Sequence, residues 1–222
     1  MCGRFTQAAD GTIIAGVFDL PEAPELSPRY NIAPTQDVAA VRLAESGGRE
    51  LVQLNWGLIP SWAKGRAMGA RMINARAETL PEKPAFRSAF RARRCLIVAD
   101  GFYEWQKLAT RKQPHFIGFR DGRPFAFAGL WERWHGGGEE AVESCTIVTT
   151  EANELLAPIH DRMPVIVDPD EFAFWIDPSQ KDTDRLAGLL KPYPAGPLQA
   201  YPVGLLVNNP ANDSPACVKR LA

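Results

Sequence analysis

Met1 is followed by Cys2, a small second residue of the kind that allows removal of the initiator methionine. A chain that starts at Cys2 carries an amine and a thiol on adjacent carbons. Its α-amino group, with an ordinary pKa of about 7.7–8.0, is partly neutral near pH 7. A neutral amine attacks an aldehyde to give a Schiff base. The neighbouring thiol then closes onto the imine carbon as a five-membered thiazolidine. Both nucleophiles belong to one residue, so ring closure is intramolecular. An internal cysteine cannot react this way, because its nitrogen is locked in an amide. Gly3 permits close backbone approach. Arg4 is expected to set a cation beside the thiol and favour thiolate. Many ordinary chains also begin Met-Cys, so the aminothiol becomes a mechanism only with partners.

Three segments offer partners. In Met72–Thr79, Asn74, Arg76 and Glu78 alternate and would share one face of a strand. In Ala99–Trp105, Glu104 lies between two aromatics, a setting that raises a carboxyl pKa and lets the group shuttle protons. In Ile159–Pro164, His160 stands beside Asp161 and Arg162, where a loop histidine can donate a proton near neutral pH. Each residue also has a purely structural reading. Asn74 would satisfy buried backbone groups. Glu104 would pair with Arg4 or Arg76, and His160 would be a satisfied loop residue. Trp62 would be core.

Taken together, Cys2-Gly3-Arg4-Phe5, Tyr30-Asn31-Ile32-Ala33-Pro34, Trp56-Gly57-Leu58-Ile59-Pro60-Ser61-Trp62, Asn74-Ala75-Arg76-Ala77-Glu78, Gly101-Phe102-Tyr103-Glu104-Trp105 and His160-Asp161-Arg162-Met163-Pro164 closely resemble the SRAP family, the SOS response-associated peptidases or abasic-site processing proteins. The resemblance runs in order from residue 2 to about Asn209. It implies a covalent crosslink between Cys2 and the deoxyribose of an abasic site in single-stranded DNA, as part of a DNA damage response. It also implies roles. Asn74 would hold the sugar, Glu104 would relay protons at the amine and sugar hydroxyl, and His160 would protonate the opened sugar oxygen. Arg76 and Arg162 would bind flanking phosphates, with Arg4 beside them on the DNA-binding side, and Trp62 would be a wedge or stacking platform. The alternative is a thiol peptidase or autopeptidase using Cys2, His160 and Asn74, which match a Cys-His-Asn arrangement in residue types. A third reading is a single-strand binding module without chemistry.

The elements that must position these residues are legible in outline. The chain has 222 residues, enough for one sizeable core, and a single domain is expected over 1–222. Short β-rich segments at 38–43, 51–56, 95–99, 102–106, 115–119, 125–130, 145–149, 163–167 and 198–203 read as strands. Gly122 and Gly136–Gly138 read as turns. Helices are expected within 7–19, 84–93, 151–157, 169–176 and 182–190. Strands dominate without βαβ alternation, which gives α+β with a mainly antiparallel, barrel-like core. Net charge is −1, yet residues 64–94 hold nine positive charges against two negative, leaving +7 here and −8 elsewhere. Such asymmetry suggests a local anion-binding face.

The four cysteines form no Cys-x-x-Cys pair, so no metal and no cofactor is expected, and Cys95 and Cys145 read as inert core. No apolar run approaches the roughly 20 residues of a membrane span, and no signal peptide is evident. A cytoplasmic monomer, nucleoid-associated when bound to DNA, is the expectation.

Overall fold

The computed structural model describes residues 2–136 and 140–221. The expected removal of Met1, and most of the expected Gly136–Gly138 turn, lie outside the described residues. Among these, the strands are β1 (Phe5–Gln7), β2 (Arg29–Ile32), β3 (Asp37–Leu43), β4 (Arg49–Trp56), β5 (Asn74–Arg76), β6 (Arg94–Ala99), β7 (Gly101–Lys107), β8 (Lys112–Phe119), β9 (Phe125–Trp134), β10 (Val142–Glu151), β11 (Arg162–Pro164), β12 (Ile166–Val167) and β13 (Leu198–Pro202). The helices are α1 (Gly11–Phe18), α2 (Arg87–Ala92), α3 (Phe172–Ile176) and α4 (Thr183–Gly188). The α+β class with a barrel-like core is therefore correct.

The barrel closes through β10, β4, β3, β6 and β9, because β9 also pairs back with β10. A second sheet runs β13-β8-β7-β1-β2. Most pairings are antiparallel; β10 runs parallel to β4 and to β5. Alternation along the barrel strands sends side chains into two cores. On β6, Leu96 and Val98 join the cluster under the helices, while Cys95, Ile97 and Ala99 join the cluster shared with the second sheet. Both faces of β6 are thus covered, which explains its unbroken apolar run.

Two expectations need correction. Residues 151–157 form no regular helix. Asn153 turns the chain instead: its Oδ1 accepts from the N–H groups of Leu155 and Leu156, at 3.1 and 3.0 Å, the local bonding by which asparagine competes with helix. The strand at Asn74 ends at Arg76, and Ala77–Thr79 is a 3-10 turn, so Glu78 leaves the strand face.

The loop after β4 is anchored at several points. Gly57 has φ 143°, a region open to glycine and strained for other residues. Its backbone packs so tightly on Gly69 that a Cβ at Gly57 would lie 2.7 Å from Gly69 O. Ile59 N–H donates to Ser144 Oγ at 2.8 Å, and Trp134 Nε1–H donates to Ala63 O at 2.8 Å. Between these anchors Trp62 stands 57% exposed, so its ring is available as a platform rather than spent in the core.

Candidate active site

Cys2 is fully buried at the entry to β1. Phe5 pins that strand between the sheets, with its ring 5.1 Å from Trp56 and 5.7 Å from Phe127 in edge-on contacts. Tyr103 N–H donates to Arg4 O at 3.0 Å, carrying the β1–β7 pairing toward the terminus. Cys2 Sγ donates weakly to Arg4 O at 3.9 Å. Burial pushes the thiol pKa well up, and the negative charge of Glu104 pushes it further. The group is therefore a neutral thiol in the resting site.

The expectation that Arg4 favours thiolate is corrected here. Its guanidinium donates through Nη1 to Asn31 Oδ1 at 2.7 Å and to Val207 O at 2.6 Å. Asn31 is itself fully buried. Its amide donates to the carbonyls of Val207, Asn209 and Asn212 at 3.3, 3.0 and 2.6 Å. Arg4 and Asn31 thus clasp the C-terminal segment against the strand that carries Cys2. Trp105 adds to the clasp, donating through Nε1 to Asn208 Oδ1 at 2.8 Å. Asn31 was visible in sequence as a polar residue inside an apolar run, but nothing there named its three carbonyl partners.

Asn74, Glu104 and His160 come from three separate elements: Asn74 reaches Cys2, the charge of Glu104 acts on the Cys2 thiol, and His160 stands beside Glu104. Asn74 opens β5, paired to β10 at Ile147. Its amide donates to Cys2 O at 2.8 Å, while its Oδ1 is buried with no partner. Glu104 sits in the middle of β7, only 2% exposed. Its carboxyl is raised by burial and pulled back in part by the charge of His160. The ion pairs with Arg4 or Arg76 that sequence offered as an alternative do not form among the described residues: Arg4 bonds to Asn31 and Val207, and His160 Nε2 lies 4.0 Å from Glu104 Oε2. An oxygen atom of a substrate can touch both groups across that gap.

His160 lies in the loop between β10 and β11, tied down by Gln106 Nε2 donating to Pro158 O at 3.1 Å. Arg162 N–H donates to His160 Nδ1 at 3.0 Å. In the neutral ring this fixes Nδ1 as acceptor and puts the proton on Nε2, facing Glu104. Asp161 Oδ1, also 3.0 Å from Nδ1, becomes the partner when the ring is doubly protonated.

The expected DNA-binding residues are distributed unevenly. Arg76 is exposed on β5, on the same side as Asn74. Arg162 is engaged: its two terminal nitrogens donate to Glu78 Oε1 and Oε2 at 2.6 and 3.0 Å, and Nη2 also donates to Thr149 O at 2.7 Å. Within the basic stretch, Arg94 is a structural residue, 1% exposed, donating to Phe90 O and Trp175 O at 2.7 and 2.6 Å. Arg93 pairs with Glu132 at 2.7 Å. The positive face is therefore narrower than the sequence count, with Lys64, Arg66, Arg71, Arg76, Lys83, Arg87 and Arg91 exposed. Thr149, which sequence reasoning passed over, is fully buried on β10 opposite Arg76, and its hydroxyl has no partner.

Cys95 and Cys145 are buried, as expected of core residues. Among the described residues no cluster of three or more His, Cys, Asp or Glu could hold a metal ion, and no helix is long and apolar enough to cross a membrane.

Residues 1–210 match the family model described as SOS response associated peptidase (SRAP). The chain is 45% identical to abasic site processing protein YoqW of Bacillus subtilis over 99% of both chains. It is 31% identical to abasic site processing protein HMCES of Xenopus tropicalis, over 89% of this chain and 67% of that one. Among solved structures, a protein from Bacteroides thetaiotaomicron superposes with a TM-score of 0.87 at 27% identity, covering all of both chains. A Bordetella bronchiseptica protein gives 0.79 at 28% identity, over 92% of this chain and all of that one.

Proposed function

Because the chain belongs to the SOS response associated peptidase (SRAP) family, we propose that it processes abasic sites in single-stranded DNA, capturing the sugar aldehyde as a thiazolidine on Cys2. One observation carries the reading: Asn74 bonds to the buried Cys2, Glu104 acts on its neutral thiol, and His160 stands beside Glu104, each from a separate element. The relatives named for abasic-site processing support the substrate.

The chemistry follows from the positions. With Met1 removed, the Cys2 amine attacks the aldehyde carbon of the ring-opened sugar. As the sugar ring opens, doubly protonated His160 gives its Nε2 proton to the ring oxygen, and Glu104 takes the proton of the C1 hydroxyl. Glu104, with its raised carboxyl, shuttles protons as the carbinolamine loses water. The thiol then adds to the imine carbon and its proton passes through Glu104 to the nitrogen. The net change is loss of one water. Asn74 Oδ1, buried and unpartnered, accepts from a sugar hydroxyl. Arg76, Arg162 and the exposed Trp62 hold phosphates and a neighbouring base, the usual pairing of cations with flat rings on single strands.

The peptidase alternative draws less support. In a Cys-His-Asn relay the asparagine orients the histidine, whereas here the Asn74 amide donates to Cys2 O. A thiol held neutral by burial also lacks the resting thiolate with which a thiol peptidase attacks a peptide.

The direct test is the intact mass of the protein before and after exposure to an oligonucleotide with one abasic site. The expected product is the Cys2-start chain plus the oligonucleotide less one water, stable to denaturation. Absence of that species defeats the proposal. Arg76→Ala is expected to weaken binding of all single strands alike and to flatten the dependence of log affinity on log salt by about 0.7. Fluorescence anisotropy across a salt series measures this, and an unchanged slope removes Arg76 from the phosphate ligands.

A further inference from the structure

Arg162 is one of the cations assigned above to phosphate, and a carboxylate already fills it. Both terminal nitrogens are taken end-on by Glu78, at 2.6 and 3.0 Å. A carboxylate presents two oxygens to a guanidinium in the same forked geometry as a phosphate. The pair is also layered. The Arg162 side chain is 15% exposed and that of Glu78 is 51% exposed, so Glu78 is the outer partner. A strand approaching from solvent meets the carboxylate first. Arg76 lies two residues earlier on the same segment, and its charge, after the bond to Arg162, helps hold the Glu78 carboxyl below the ordinary range. The anion thus sits in the field of both cations.

We infer that Glu78 is an electrostatic gate, occupying Arg162 in place of a DNA phosphate and giving it up when a strand binds. The inference rests on the reading of this face as a single-strand site. Two features make an exchange feasible. The outer partner is open to solvent, Glu78 being 51% exposed, so a phosphate can reach the pair and compete for the guanidinium in the same forked geometry. Arg162 also does not depend on Glu78 for its position, because Nη2 is held independently by Thr149 O at 2.7 Å. When the carboxylate moves aside, the terminal nitrogens face outward already placed. The gate lowers affinity for ordinary single strands, which carry phosphate but no aldehyde. Abasic DNA is less affected, since the covalent bond to Cys2 holds it whatever the reversible affinity. Glu78 is therefore a specificity residue acting through Arg162, without contact to the reacting atoms.

The test compares wild type, Glu78→Gln and Glu78→Ala, each alone and with Arg162→Ala. An intact fluorescent oligonucleotide is titrated over a range of salt. The expected result is about three- to fivefold tighter binding for both Glu78 variants at low salt, the size of a released surface ion pair. The salt slope should steepen by about 0.7, as one more phosphate is neutralised. In the Arg162→Ala background both gains should vanish. Unfolding temperatures close to wild type would exclude a purely structural effect. Unchanged or weaker binding in both single variants overturns the gate. If wild type crosslinks abasic DNA while the Glu78 variants show no gain, only the gate falls. If wild type binds no single strand at all, the functional reading falls with it.

Discussion

A chain that keeps one uncleaved residue ahead of Cys2 is expected to give no denaturation-resistant adduct with abasic single-stranded DNA. The thiol is still present in that version, but its nitrogen is an amide and cannot form an imine. The effect is total because the amine supplies the first bond and the thiol only the second. Cys2→Ser tests the other half. It keeps the free amine, so it should form a Schiff base that dissociates on denaturation and persists only after chemical reduction. Intramolecular closure by the thiol traps the imine, and effective molarities for such closures reach about 10⁵ M or more. A full-strength adduct from the blocked chain, seen on a denaturing gel, would show that some other nucleophile reacts. A peptidase acting through the thiol alone would tolerate the extra residue, so the same protein separates the two chemistries.

Glu104→Gln is expected to slow crosslinking by about 10²–10⁴-fold, the usual contribution of a positioned proton-transfer group, while making the fold more stable. The carboxyl is 2% exposed and its pKa is raised, chiefly by burial. A raised folded value means that the folded state holds the proton more tightly than the unfolded chain. Stability from this group is therefore present below the ordinary carboxylate pKa, about 4.3, and is lost as pH rises through the folded value. Glutamine removes that loss. The advantage of the variant should be absent in acid and grow toward neutral pH. A gain of about 1 kcal/mol would raise Tm by about 2–4 °C in a chain of this length. Crosslinking at the wild-type rate would remove Glu104 from proton transfer. A Tm that falls at neutral pH would show that its charge stabilises the fold.

Most strands were legible because their apolar residues alternate or run unbroken. β6 and β9 stood out for that reason, both facing core on each side. β1 and β2 were missed. They have three and four residues and carry Gln7, Arg29 and Asn31 among the apolar ones, so no period could emerge. Closure of the barrel was legible only as a class, since the β9–β10 pairing that completes it has no local signature. At the site, the types of Cys2, Asn74, Glu104 and His160 suggested chemistry, yet their convergence depends on β5 lying parallel to β10, a long-range choice. Charge counting overstated the basic face, because a buried guanidinium such as Arg94, with backbone carbonyl partners, reads in sequence like an exposed one. The direction of Arg4 was wrong for a related reason: its partners lie at Asn31 and Val207.

The clasp of Arg4 and Asn31 on the C-terminal segment has a bearing on timing. Asn31 reaches carbonyls 176, 178 and 181 positions further along the chain. A ribosome delivers the N-terminus first, at about 5–20 residues per second, so those carbonyls emerge many seconds after Asn31. Until then the strand leading to Cys2 lacks this clasp. During that interval the strand that carries Cys2 is made but not yet clasped. The strand leading to Cys2 is thus made long before the segment that Asn31 holds.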